Sequence, residues 1–150
     1  MFAFLPRMFA PFQSNSDELT MAADSAAAAL VENKLIDVAG GDGNGSMVPG
    51  IINRSKYSDL RNKTDPAGPD YSYTNVEQMK KFLGIGYGSA SNFYNLQIEL
   101  SSPSSPDPLY NSFISPDGQP GNSNVGQSKR FVYVNKTGSY TMAILTVRVW

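Results

Sequence analysis

RFVYVNKTGSYTMAILTVRVW, residues 130–150, contains the two most strand-like runs of the chain around one turn. Arg130 to Val134 and Ser139 to Trp150 are separated by Asn135-Lys136-Thr137-Gly138, a four-residue connection in which glycine is available for the positive φ of a tight turn. In the second run Ala143, Leu145, Val147 and Val149 fall on one face and Thr146 and Arg148 on the other, the period-two alternation of a half-buried strand. The same alternation puts Trp150, the only tryptophan, on the outer face with Thr146 and Arg148. Burying so large an apolar side chain is worth about 1.5–3 kcal/mol, which predicts cover over that end of the sheet, from a loop within 101–129 or from a neighbouring subunit.

Working toward the N-terminus, Asn92 to Leu100 also alternates, with Tyr94, Leu96, Ile98 and Leu100 opposite Asn95, Gln97 and Glu99. Residues 101–126 are rich in Ser, Pro, Gly and Asn and read as a long exposed excursion, with a strand fragment at Leu109 to Ile114. Thr74 and Glu77 have capping-box spacing, Val76, Met79, Phe82 and Leu83 form an apolar stripe, and Gly84 is placed to stop a helix over 75–83. From Gly40 to Tyr73 the chain reads as irregular, although Val48 to Ile52 can pair as an edge strand. Asn15 and Glu18 cap a helix expected from about Ser16 to Val38, whose apolar face (Leu19, Ala22, Ala23, Ala26, Ala29, Leu30, Val31) is mostly alanine, so its packing partner can approach closely.

Residues 2–12, FAFLPRMFAPF, are almost entirely apolar yet too short to cross a bilayer as a helix, which takes about 20 residues. They lack the basic start and small-residue cleavage site of a secretory leader. The expectation is that they end a longer hydrophobic helix continuing upstream of Met1, kinked or stopped at Pro6 and Pro11. Phe2, Phe4, Leu5, Met8, Phe9 and Phe12 are the candidate anchor or assembly residues. Residues 1–12 are thus read as anchor and 13–150 as one soluble domain. The expected fold is α+β: a long N-terminal amphipathic helix packed on a C-terminal antiparallel sheet, with long irregular loops.

Composition narrows the function. Charged residues make up 17% and the net charge is −1, so no field draws the chain to nucleic acid. With no histidine and no cysteine it lacks the commonest general base, the usual partner of a nucleophile and the main transition-metal ligands. Asp59, Asp65, Asp70, Glu77, Glu99, Asp107 and Asp117 are scattered, with no spacing that forces two carboxylates together. Asp42-Gly43-Asn44-Gly45-Ser46 offers alternating oxygens like a calcium loop, but the sixth position is Met47 and the twelfth Asn53, where glycine and a bidentate glutamate are required. Gly84-Ile85-Gly86-Tyr87-Gly88 follows a helix instead of leading into one, so it presents no phosphate cradle. No catalytic residue, metal or cofactor is assigned.

Four Asn-X-Ser/Thr triplets begin at Asn44, Asn53, Asn62 and Asn135, all read in loops or turns; about two are expected by chance from this composition, and these asparagines are candidate glycosylation sites. Tyr57, Tyr71, Tyr73, Tyr87, Phe93, Tyr94, Tyr110 and Phe113 cluster in or near loops, a pattern shared by sugar- or protein-contacting surfaces and by ordinary core packing. Tyr71, Tyr73 and Tyr110 are the candidate ligand contacts.

A hydrophobic N-terminal segment leading into an amphipathic helix and then a C-terminal sheet is similar to type IV pilins and pseudopilins. The Phe2–Phe12 segment, Ala22–Glu32, Phe82-Leu83-Gly84-Ile85 and the closing Leu145–Trp150 resemble small archaeal pilin-like surface proteins, best known in haloarchaea. The resemblance implies a non-catalytic structural or assembly protein at the cell surface, held by its N-terminal segment to the membrane or to other pilin-like subunits. The loop aromatics support a different class, a secreted adhesin module that binds glycans or proteins.

Overall fold

The computed structural model describes the backbone of residues 5–38, 47–88 and 92–150, with side chains from residue 17 onward except within 36–49 and 89–91. Helix α1 (Leu5–Ala29) begins just before Pro6, whose missing N–H is no loss in a first turn, and runs on through Pro11 and Gln13–Ser16. Asn15 therefore lies inside the helix and does not start one. After Ala29 the chain widens into a π-turn, Leu30–Lys34, closed by the Leu35 N–H on the Leu30 carbonyl at 2.8 Å. The extra residue brings Leu35 under Leu30 where a regular turn would bring Lys34, and Leu30, Val31 and Leu35 are all buried.

The helix expected to reach Val38 thus gives way to strand β1 (Ile36–Val38), followed by β2 (Met47–Asn53), α2 (Arg54–Thr64), α3 (Tyr73–Leu83), β3 (Leu96–Ser101), β4 (Ser112–Ile114), β5 (Gly126–Lys136) and β6 (Ser139–Val149). The six strands form one sheet in the order β1-β2-β5-β6-β3-β4. β2 runs parallel to β5, pairing Ile51, Ile52 and Asn53 with Tyr133, Val134 and Asn135, whereas the other pairings are antiparallel.

The expected fold, a long N-terminal helix on a C-terminal antiparallel sheet, is therefore corrected. The sheet is mixed and recruits β1 and β2, and among the described side chains of α1 the buried ones run only from Leu19 to Ala27. Of the stretch from Gly40 to Tyr73 read as irregular, the described residues 47–73 form β2, α2 and the start of α3. Asn53 caps α2 by accepting from the Ser55 and Lys56 N–H groups, and Tyr57, Leu60 and Thr64 give the helix a narrow buried stripe. α3 starts two residues earlier than expected because Ser72, not Thr74, is its cap; Gly84 ends it at φ 68° in the left-handed region.

The core lies between the helices and one sheet face, built by Leu96, Ile98, Leu100, Val132, Val134, Ala143, Leu145, Val147 and Val149. Ala23, Ala26 and Ala27 of α1 are fully buried against it. This close approach has a mirror in β5, where a Cβ on Gly126 would collide with the backbone of Leu19 and Thr20. At the far end of the hairpin Lys136 pairs with Ser139, so the turn is two residues, not four; Thr137 and Gly138 both have positive φ, as a type I′ turn requires.

The stretch after β3 is tied down, contrary to its reading as an exposed excursion. Leu109, Tyr110 and Ile114 are buried, Asp117 accepts the Leu96 N–H, and Gln97 donates to Ser115 and Gln119. These last contacts cover the outer face at Gln97, which pairs with Arg148 of β6, and Trp150 is half-buried. Arg54 anchors the same loop through a two-pronged contact with Asp107 at 2.9 and 3.0 Å, and Lys136 adds a longer one. The Arg54 guanidinium and the Leu109 N–H hold the Asp107 carboxyl down at about 2. A carboxylate whose folded value lies below its unfolded value of ~3.9 stabilises fully above the latter, and the contribution disappears as pH falls through 4 toward 2. Urea unfolding of the native protein and of Asp107→Asn at about pH 6 and about pH 2 is expected to show about 1–2 kcal/mol more acid loss in the native protein, the partly exposed pair being screened by solvent. Equal losses would mean that the pair does not contribute.

Candidate functional site

The hairpin register sorts the outer face of the sheet. Phe131 lies opposite Ile144, Tyr133 opposite Met142, Asn135 opposite Tyr140, and Ile51 of β2 flanks Tyr133, so all these side chains share the face away from the helices. Phe131 is 77% exposed, Met142 58%, Tyr140 57% and Tyr133 53%, values that mark a continuous apolar surface and not the edge of a core. With aromatic side chains of roughly 200 Å², they leave about 500 Å² accessible, at the upper end of what a monomer's largest patch spans.

The other half of this face, toward Trp150, is polar and satisfied. Arg148 donates through Nε to Gln127 and through Nη1 to Gln97 and Glu99, each at 3.0 Å, and Gln97 is buried beneath the 115–119 loop. The boundary between the halves lies near Thr146, which is buried. Sequence reading missed the apolar half. Phe131 and Tyr133 alternate with Val132 and Val134, so every residue of the run is apolar and a period of two cannot say which pair faces water.

The candidate ligand aromatics separate. Tyr71 and Tyr73 line one small cavity of about 190 Å³ with Phe93 and the ion pair Lys80–Asp117, whose Nζ and Oδ2 are 2.7 Å apart. Tyr73 is 74% exposed at its rim. Tyr110 does not join them: it is buried in the core, and its hydroxyl has no hydrogen-bond partner among the described residues. Tyr57 is buried too, its hydroxyl donating to the Ser112 carbonyl and pushed up to about 12 by burial.

A second, larger cleft of about 550 Å³ opens between α2 and α3. Lys56, Asp59 and Lys63 line one wall and Asn75, Gln78 and Phe82 the other, with Lys34 of the π-turn at one end. Buried Leu60 and Met79 form its floor.

Of the candidate glycosylation sites, Asn53 is the α2 cap and Asn135 accepts the Gly138 N–H in the hairpin turn. Asn62 lies within α2, not in a loop, and all three are part-exposed. Asn44 and the 42–46 oxygen run lie outside the described residues, as do Phe2 and Phe4 and the side chains of Leu5, Met8, Phe9 and Phe12. Among the described residues no three His, Cys, Asp or Glu side chains gather as a metal site, and no helix is long and apolar enough to cross a membrane.

No curated protein and no solved structure matches the chain. A family model does match, over residues 1–150, and the chain belongs to that family, DUF7287, described as a family of unknown function.

Proposed function

We propose that this is a non-catalytic cell-surface subunit, pilin-like or pseudopilin-like in role, that works by assembly, with a second copy docking on the exposed aromatic face of the β5–β6 hairpin. The carrying observation is the patch of Phe131, Tyr133, Tyr140 and Met142. Two copies paired face to face would bury about 1,000 Å² through these side chains alone, the threshold of a specific interface, and the surrounding rim adds to it. The apolar residues Phe2, Phe4, Leu5, Met8, Phe9 and Phe12 are assigned to the membrane or to neighbouring subunits. The Asn-X-Ser/Thr triplets support an extracellular or surface location.

Because the chain has no cysteine, a single introduced one reports proximity cleanly. Met142→Cys is expected to form a disulfide-linked dimer on mild oxidation, and Lys81→Cys, exposed on α3, is not. Equal cross-linking of both variants, or of neither, counts against a docking face on the hairpin.

A second reading, a glycan- or protein-binding adhesin module, draws on the cavity shared by Tyr71, Tyr73, Lys80 and Asp117. It predicts retention on a glycan array that Tyr73→Ala abolishes without lowering the melting temperature, since that side chain is mostly exposed. Absence of retention, or retention that survives the substitution, removes this reading.

A further inference from the structure

The α2–α3 cleft brings together three kinds of group that nothing in the assembly role requires. Lys34, Lys56 and Lys63 against the single Asp59 give its lining an excess of two positive charges, on a chain whose net charge is −1. Phe82 is 49% exposed, and the Lys34 ammonium stands 5.7 Å from its ring centre, so a cation and an apolar ring face the same space. Asn75 and Gln78 add amides, each able to donate and accept at once, the pairing that neighbouring hydroxyl groups demand. The volume, about 550 Å³, is that of a ligand site and not of a packing flaw.

We propose that this cleft binds an acidic oligosaccharide: its carboxylate or sulfate groups meet the lysines, its hydroxyls meet Asn75 and Gln78, and one sugar ring lies on Phe82. The walls are the flanks of two helices, and the first-turn N–H groups among the lining residues, those of Lys56 and Asn75, are already taken by the capping side chains of Asn53 and Ser72. The cleft thus offers a phosphate chain none of the main-chain cradle that nucleotide sites use, which disfavours a nucleotide. The site is separate from the hairpin face and does not depend on assembly, so it can be tested on the monomer and its failure would leave the docking proposal untouched.

The test is calorimetric titration of the full chain with a galacturonic acid trisaccharide, with the neutral galactose trisaccharide, polyglutamate and AMP as comparison probes. The acidic sugar is expected to bind and the neutral sugar to bind at least ~10-fold more weakly. Phe82→Ala is expected to weaken binding about 10-fold and Lys34→Gln about 3-fold, with unchanged melting temperatures, because both side chains are exposed. Asp59→Asn removes the one acidic lining group and is expected to tighten binding about 2-fold, a gain that a merely unfolding substitution cannot produce. Repeating the titration with a sulfated galactose trisaccharide separates carboxylate from sulfate preference. Failure of the acidic sugars to bind, equal or stronger binding of polyglutamate or AMP, or insensitivity to Phe82→Ala would each overturn the proposal.

Discussion

Gly126→Ala is expected to destabilise the protein by about 3 kcal/mol or more, from a change of one methyl group. The added Cβ would meet the Leu19 carbonyl and the Thr20 nitrogen, and backbone cannot swing aside as a flexible side chain can. Relief requires α1 to lift from β5. That movement would open the contact of Ala23, Ala26 and Ala27 with the sheet, where the absence of longer side chains is what permits the close approach. Gly86→Ala is the control. A Cβ there meets its nearest atom, the Asn92 carbonyl oxygen, at 3.5 Å, so the effect is expected to stay below about 1 kcal/mol. Denaturant midpoints of the two variants measure the contrast, and a mild Gly126→Ala would mean that the helix does not rest on the strand this closely.

The second large effect is at Asp117. Its Oδ2 binds the Lys80 ammonium at 2.7 Å and accepts the Leu96 N–H at 2.9 Å, and the Lys80 side chain is only 8% exposed. Asp117→Ala leaves a nearly buried cation without its partner and a strand N–H unpaired, for an expected loss of about 2–4 kcal/mol. The combination of Lys80→Met with Asp117→Asn is expected to recover most of that, because the charge is removed from both sides and the amide oxygen still accepts from Leu96. A double variant as unstable as Asp117→Ala would show that packing of the 115–119 loop, not charge, dominates this corner.

The sequence made some of this legible and hid the rest for identifiable reasons. The β5–β6 hairpin and β3 announce themselves because one face of each alternates cleanly, and Gly84 stops α3 because only a left-handed residue closes that end. β2 reads from the sequence only as an edge strand, yet it lies between β1 and β5, because its parallel pairing with β5 joins residues about 80 positions apart and leaves no local signature. α2 carries only Tyr57, Leu60 and Thr64 as buried positions among eleven residues, too thin a stripe to stand out from a polar loop. Its readable sign is Asn53, which serves as the helix cap as well as opening a glycosylation triplet. Among the aromatics, residue type does not separate Tyr110 in the core from Tyr73 at a cavity rim, because both sit near proline- and aspartate-rich turns. The exposed apolar face escaped notice because both faces of the Phe131–Val134 run are apolar, and only the position of the helices decides which is left to water.

The central claim is that the exposed hairpin face joins copies of this chain. Sedimentation equilibrium of the native protein beside the Phe131→Ser/Tyr133→Ser double variant tests it most directly, since both side chains are largely exposed and their removal spares the core. The native protein is expected to populate a dimer or larger species at micromolar concentration, and the double variant to remain a monomer with an unchanged melting temperature. A native protein that stays monomeric at every accessible concentration, or a double variant that associates as strongly as the native chain, would contradict the account.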